Sequence, residues 1–254
     1  IIAMALKDEN APAVPIIQHP DVRRMLLRQK SIAEGIRLLC LLCYWCMDNM
    51  FNAMIDGNEE KKEYWSGMIE VLTPIVKAYS TDRAQESIEL AVQCYGGYGF
   101  CREYPVEQMM RDNKINQIYE GTNGIQALDL LGRKLGMKKG AYFMNLIGMM
   151  KKDIEEAKKL DAFKKEAEIV DKAIDECGGT ALAFSKMIKT TPFVPLIGAC
   201  DFLTCLGDAI VGWLHIKMAL VAIPKFFAAD TGELDKAFYR GKIEGARFFI
   251  NRIT

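Results

Sequence analysis

The feature of this sequence best suited to chemistry is a carboxylate set between an aromatic ring and a glycine, in Tyr119-Glu120-Gly121-Thr122. Glu120 is the only carboxylate or basic side chain between Lys114 and Asp129. Abstracting a weakly acidic proton needs a base with a raised pKa. A carboxylate held in a partly apolar turn meets that need, because burial disfavours its charged form. Thr122 or Asn123 can cap the apolar-periodic run that follows, which predicts that Glu120 sits in a turn just ahead of a helix. A carboxylate there can also serve only as a partner for the helix N-terminus, so spacing alone leaves both roles open.

The elements that must position this turn read as helices. Pro20 suits a first helical position and Asp21 a first turn, so a helix is expected from Pro20 to Asn52 or Asp56, stopping before Gly57. About 35 residues at 1.5 Å each make it ~50 Å long. Asn58 offers a cap for a second helical region over 59–95, with Glu59 and Glu60 in its first turn. Pro74 is expected to kink or break that region, and Gly96-Gly97 to close it. A short helix from Pro105 to Arg111, the Glu120 turn and a helix over 123–135 follow. Gly136 and Gly140 bracket a boundary, after which helices are expected over 141–159, 162–188, 195–227 and 233–252. Residues 1–19 contain Asp8-Glu9-Asn10-Ala11-Pro12 and Pro15 and read as a loop or linker. Strand-like alternation is absent, so the predicted class is all-α, with one helical domain over 20–136 and a second over 137–254.

Composition narrows the function classes. Lys+Arg and Asp+Glu both total 33 in 254 residues. The chain therefore lacks the basic excess that nucleic-acid binding usually needs. Eight cysteines (Cys40, Cys43, Cys46, Cys94, Cys101, Cys177, Cys200 and Cys205) lie mostly in apolar helical patterns. A chain this large needs no disulfide framework, so reduced thiols and a cytoplasmic location are expected. No charged segment followed by an apolar one opens the chain, so no secretory signal is read. Ile1 is not a methionine, and the opening IIAMALK reads as the continuation of a longer protein.

Two stretches invite other readings. Leu196–Ile223 is apolar, but Asp201, Asp208 and His215 recur every seven residues with Lys217 close by. That pattern predicts a packed helix with one polar face, not a membrane span. Cys40, Cys43 and Cys46 have an iron–sulfur-like spacing in mid-helix. Consecutive members fall about 300° apart around the axis, so Cys40 and Cys46 diverge by about 120°. They read as small core residues. His19 and His215 are the only histidines and share no ligand spacing, so no metal is expected. Neither accompanies a nucleophile motif, which leaves a Ser-His-Asp hydrolase unsupported.

A longer pattern surrounds Glu120. Gln93-x-x-Gly96-Gly97-x-Gly99-Phe100 is followed by Glu103-Tyr104-Pro105-Val106-Glu107, Arg111-Asp112 and Ile118-Tyr119-Glu120-Gly121-Thr122. In order and spacing it resembles the C-terminal signature of the acyl-CoA dehydrogenases. The continuation from Gly124 to Leu135 is similar to a long subgroup with an extra C-terminal helical domain, which includes the 3-methylmercaptopropionyl-CoA dehydrogenases. The resemblance implies the last three helices of a four-helix bundle over 19–135 and a second helical domain after it.

It also implies an FAD-dependent enzyme that introduces an α,β double bond into an acyl-CoA thioester. Glu120 removes the α-proton, FAD accepts the β-hydride, and the Glu120 N–H helps bind the thioester oxygen. Tyr119 lies along the acyl chain. Gln93, Gly96 and Gly97 match a segment that approaches the pyrophosphate of a neighbouring subunit's FAD, and Thr122 a contact to the FAD beside Glu120. Gly124 departs from the glutamine of many relatives, which puts one polar cofactor contact in doubt. An electron acceptor such as an electron-transfer flavoprotein and a homo-oligomer are implied as partners. The family's N-terminal helical and middle β-domains do not match these residues, so the chain alone is expected to be inactive. An acyl-CoA oxidase shares this fold and base. A non-catalytic helical interaction protein is the other alternative, but it has no need of Glu120, Gln93, Gly96, Gly97 and Arg111 together.

Overall fold

The computed structural model describes residues 12–253, so most of the expected N-terminal loop lies outside the described residues. Residues 12–15 are irregular, and a 3₁₀ turn over Ile16–Gln18 leads into the first helix. Nine α-helices follow among the described residues, with no strand. They are α1 (Pro20–Ile55), α2 (Glu59–Tyr95), α3 (Pro105–Asn116), α4 (Asn123–Gly132) and α5 (Ala141–Ala157), then α6 (Lys164–Met187), α7 (Phe193–Ile197), α8 (Ala199–Phe227) and α9 (Glu233–Ile253). The all-α class read from the sequence is the class observed.

Local chemistry explains the long hairpin of α1 and α2. Pro20 opens α1 with Asp21 in its first turn. Gly57 takes a left-handed φ of 66°, and Asn58 caps α2 by accepting a bond from the Lys61 amide at 3.0 Å. On α1, Met25, Ile32, Leu39, Cys46 and Ala53 recur at seven-residue intervals and are buried. Leu39 and Cys46 of that row share a buried cluster with Met68, Val71, Leu72, Ile75 and Ala78 of α2, spaced by threes and fours, so each helix turns one stripe inward. The expected kink or break at Pro74 is absent as a break: α2 is helical throughout. Pro74 is buried among core residues of that stripe, and their burial offsets the lost backbone bond. The outer face of α1 leaves Leu41, Tyr44, Trp45, Met54 and Ile55 exposed.

Helix α8 is the centre of the remainder. It packs against α1, α2, α4, α5, α6 and α9. By length and composition α1 and α8 could each cross a membrane; the most apolar window of α8 is 72% buried inside the protein. The expected 195–227 helix is interrupted at Gly198, which separates the short α7 from α8. One contiguous buried cluster runs from α1 and α2 through to α9. Gly207 marks the closest crossing of α8 and α2, where an added Cβ would stand 2.2 Å from the Tyr79 ring.

Asp208 of α8 faces that crossing, while His215, two turns along, faces α1. Asp208 Oδ1 accepts from the Tyr79 hydroxyl at 2.7 Å, and both its oxygens accept from Arg83 Nη2, at 2.9 and 2.7 Å. His215 is fully buried, with Nε2 3.1 Å from the Ser31 carbonyl and its ring 4.7 Å from that of Phe249. Its Nδ1 has no hydrogen-bond partner among the described residues. Burial pushes the His215 imidazole down to about 4, against the opposing Ser31 carbonyl. Asp201, expected on the same face, is exposed.

The cysteine trio behaves as side chains of a packed helix. Cys46 is buried while Cys40 and Cys43 are half-buried. Burial, and then the nearby Cys43 thiol, pushes Cys46 up to about 12.

Candidate active site

The segment around Glu120 is shaped by where two helices stop and start. Helix α3 continues past the expected Arg111 to Asn116, because Asn113 Nδ2 anchors it to α2 through Thr81 O at 3.1 Å and Gln85 Oε1 at 2.9 Å. The loop Gln117–Thr122 is then closed by the Asn123 amide, which donates to the Gln117 carbonyl at 3.1 Å. Thr122 is the N-cap of α4, its Oγ1 accepting from the Ile125 amide at 3.4 Å. Of the two caps the sequence offered, Thr122 is used. Helix α4 ends at Gly132 rather than at 135, and irregular 3₁₀ turns with left-handed Lys138 and Lys139 follow.

Glu120 sits at φ 53° and Gly121 at φ 87°, two consecutive left-handed residues. A non-glycine residue there costs about 1 kcal/mol, so the turn must be held from outside. The holders come mainly from α2. Lys77 Nζ donates to the Gly121 carbonyl at 2.7 Å and to Asn123 Oδ1 at 2.8 Å. Asn123 Nδ2 reaches the Ala78 carbonyl, Thr81 Oγ1 and Asp82 Oδ1 at 3.2, 2.9 and 2.7 Å. Gln117 Nε2 donates to the same Asp82 oxygen at 2.6 Å, and Gln126 Nε2 to the Glu120 carbonyl at 3.3 Å.

The turn thereby presents Glu120 outward. Among the described residues its carboxylate has no hydrogen bond or ion pair, and its backbone N–H has no acceptor. The partly apolar setting expected for it is only bordered here: Ile118, Tyr119 and Ile125 flank the turn, each about half exposed, and Glu120 itself is exposed. The described residues leave the carboxylate open to solvent.

Gln93, Gly96 and Gly97 form a separate cluster at the far end of α2. Gln93 lies 11 residues beyond Asp82, or ~16 Å along the helix at 1.5 Å per residue. So the structure groups Tyr119, Glu120 and Thr122, and keeps the glycine pair apart from them. Gly96 ends α2 at φ 60°, and an added Cβ at Gly96 or Gly97 would meet nothing within 4 Å among the described residues. The backbone there is open to a large group, beside the clustered rings of Tyr95, Tyr98 and Tyr104. Nearby acids have ordinary surface roles. Glu107 pairs with Arg111 one turn along α3 at 3.1 Å, and Glu103 is exposed. Sequence reading missed Lys77 and Asp82 altogether, since they stand some 40 residues before the turn and match no local motif; Asn123 was read only as a cap.

Comparison with known proteins identifies the family of the chain. The family model for the acyl-CoA dehydrogenase C-terminal domain matches residues 2–136, and that for an acetyl-CoA dehydrogenase C-terminal-like domain matches residues 146–254. The chain is similar to the broad-specificity linear acyl-CoA dehydrogenase FadE5 of Mycobacterium tuberculosis, 33% identical over 250 residues, covering 96% of this chain and 40% of that protein. It is also similar to the 3-methylmercaptopropionyl-CoA dehydrogenase of Ruegeria pomeroyi, 35% identical over 244 residues, covering 95% and 40%. In fold it resembles the crystal structure of an acyl-CoA dehydrogenase complexed with FAD from Bacillus anthracis, with a TM-score of 0.66 at 17% identity, covering 99% of this chain and 44% of that one. The chain thus spans two fifths of the length of these curated relatives. With its first half matched by one family model and most of its second by another, the chain belongs to the acyl-CoA dehydrogenase family, in the long subgroup with a further C-terminal helical region.

Proposed function

We propose that this chain carries the catalytic base of a flavin-dependent acyl-CoA dehydrogenase, with Glu120 removing the α-proton of an acyl-CoA thioester. The observation that carries the reading is the Glu120 turn: a carboxylate with no partner among the described residues, held outward by a network that engages the neighbouring carbonyls. The substrate class comes from the family and from the names of the relatives.

The residues present fit FAD. Gly96 and Gly97 leave backbone open where a side chain would intrude, as close approach to a pyrophosphate requires. Thr122 uses one acceptor lone pair in capping α4, which leaves its O–H free to donate to a cofactor. When bound, FAD supplies the acceptor for the hydride that leaves the β-carbon. Glu120 takes the α-proton, and the electrons of that C–H bond become the new α,β double bond. The Glu120 N–H donates to the thioester oxygen and stabilises the enolate-like charge that develops there. Tyr119 borders the acyl chain. On this reading Glu120 gains its apolar surroundings when substrate and cofactor cover the turn.

The same proposal includes an electron-transfer-flavoprotein-type acceptor and a cytoplasmic setting. A homo-oligomer is supported by the exposed apolar strip on α1. The division into helical domains at 20–136 and 137–254 is supported by the irregular backbone at Lys138 and Lys139.

Glu120→Gln tests the central claim. The flavin-loaded variant should bind acyl-CoA normally while flavin bleaching by substrate slows about 10²–10⁴-fold, the usual contribution of a general base. Bleaching at the wild-type rate would remove Glu120 from the role, and inactivity of Glu103→Gln instead would move it to that neighbour.

A further inference from the structure

We propose that Lys77 and Asn123 are positioning residues that hold Glu120 in its left-handed turn, and that proton abstraction depends on them although neither reaches the reacting atoms. The inference rests on Glu120 as the base and adds what sets its aim.

The orientation of the Glu120 side chain follows from the peptide planes on either side of it. The preceding segment is fixed where the Tyr119 amide donates to the Ile115 carbonyl at 3.0 Å. The next two carbonyls are each held by a side chain from another element, Glu120 O by Gln126 and Gly121 O by Lys77. Left-handed backbone at Glu120 is unfavourable by itself, so without these bonds the loop relaxes toward ordinary φ and the carboxylate swings away.

Asn123 is the joint between the loop and α2. Its amide cannot be flipped: Oδ1 must accept from the Lys77 ammonium, while Nδ2 must donate to the Ala78 carbonyl and Asp82 carboxylate. A carboxylate at this position would keep the Lys77 bond but set oxygen against oxygen at Ala78 and Asp82. Lys77 is half-buried, and its ammonium is divided between the Gly121 carbonyl and Asn123. The pair therefore ties the base to the rigid middle of α2 rather than to the mobile surface of a loop.

The test compares Lys77→Met, Asn123→Asp, Lys77→Arg and Glu120→Gln, and the double variant Lys77→Met/Glu120→Gln, in the flavin-loaded protein. Single-turnover flavin reduction at saturating acyl-CoA is measured beside acyl-CoA affinity and amide hydrogen exchange over residues 117–124 without substrate. Lys77→Met and Asn123→Asp should slow reduction by about 10- to 100-fold at near-normal affinity, as expected for a base displaced by about 1 Å. Exchange over 117–124 should speed up while the rest of α2 is unchanged, and Lys77→Arg should recover most of the rate. In the Glu120→Gln background the Lys77 change should cost nothing further, because there is no base left to aim. Wild-type reduction in Lys77→Met and Asn123→Asp, with Glu120→Gln still dead, would overturn the positioning role and leave the base intact. An equal loss in the Glu120→Gln background would overturn it too, by exposing a general structural effect. A fully active Glu120→Gln would instead bring down the underlying assignment, and this inference with it.

Discussion

Two faces of the same ten residues of α2 do opposite work. Lys77, Thr81, Asp82 and Gln85 reach the Glu120 turn and α3. Tyr79, Arg83 and Glu86, around the helix from them, form a clasp with Asp208 of α8 and Arg28 of α1. The first face ends in a turn that water reaches, where each hydrogen bond adds about 0.5–1.5 kcal/mol net. The second is largely shut away: side-chain exposure is 19% for Arg83 and 13% for Asp208. Breaking a buried pair of that kind strands a charge and costs about 3–5 kcal/mol. Geometry of the base and stability of the fold are thus set on one helix by separable groups.

Arg83→Met should show the largest effect of separating them. It leaves Asp208 buried without its cation, and we expect a loss of about 3 kcal/mol in denaturant unfolding. Flavin reduction per folded molecule should stay unchanged, because Lys77 and Asn123 are untouched. A variant as stable as wild type would show that the clasp contributes nothing to holding α8 on the bundle.

Acid should act on another buried group, His215 of α8. His215 takes up a proton near 6.5 in the unfolded chain and only near 4 when folded. The unfolded state therefore binds the extra proton, and the stability from neutral His215 is complete above pH 6.5 and lost as pH falls towards 4. The loss amounts to roughly 3 kcal/mol at most. Unfolding measured across pH 4–7 should show His215→Phe gaining on wild type as the pH drops. A constant difference between the two would mean that His215 titrates normally in the fold.

The smallest effect belongs to the exposed face. Glu120→Gly removes a left-handed non-glycine residue, so stability should hold or rise by less than about 1 kcal/mol. Chemistry should be lost in the same protein. A marked fall in thermal midpoint would show that the Glu120 side chain packs against something in solution.

Much of this arrangement is legible in the sequence, for local reasons. Pro20, Gly57, Asn58 and Gly96 fix the ends of α1 and α2 through capping and glycine chemistry, and those ends were readable. The errors arise where distant residues decide. Helix α3 outruns Arg111 because Asn113 is anchored on α2, and α2 continues through Pro74 because its neighbours are buried. Glu120 announced itself through its isolation between Lys114 and Asp129. Lys77, 44 residues from the carbonyl it holds, gave no such signal. The desolvation expected at Glu120 is not a property of the turn's own residues, which is why spacing could not measure it.

The clasp between Arg83 and Asp208 also has a history within each molecule's synthesis. The partners are separated by 125 residues. At a ribosomal rate of 5–20 residues per second, Arg83 waits ~6–25 s before Asp208 exists. Throughout that interval the α1–α2 hairpin leaves uncovered the Tyr79 surface that α8 later packs against, a long exposure for surface destined for the interior. Helix α8 is made long after the hairpin it covers, so a chain released before it leaves the ribosome with that surface open.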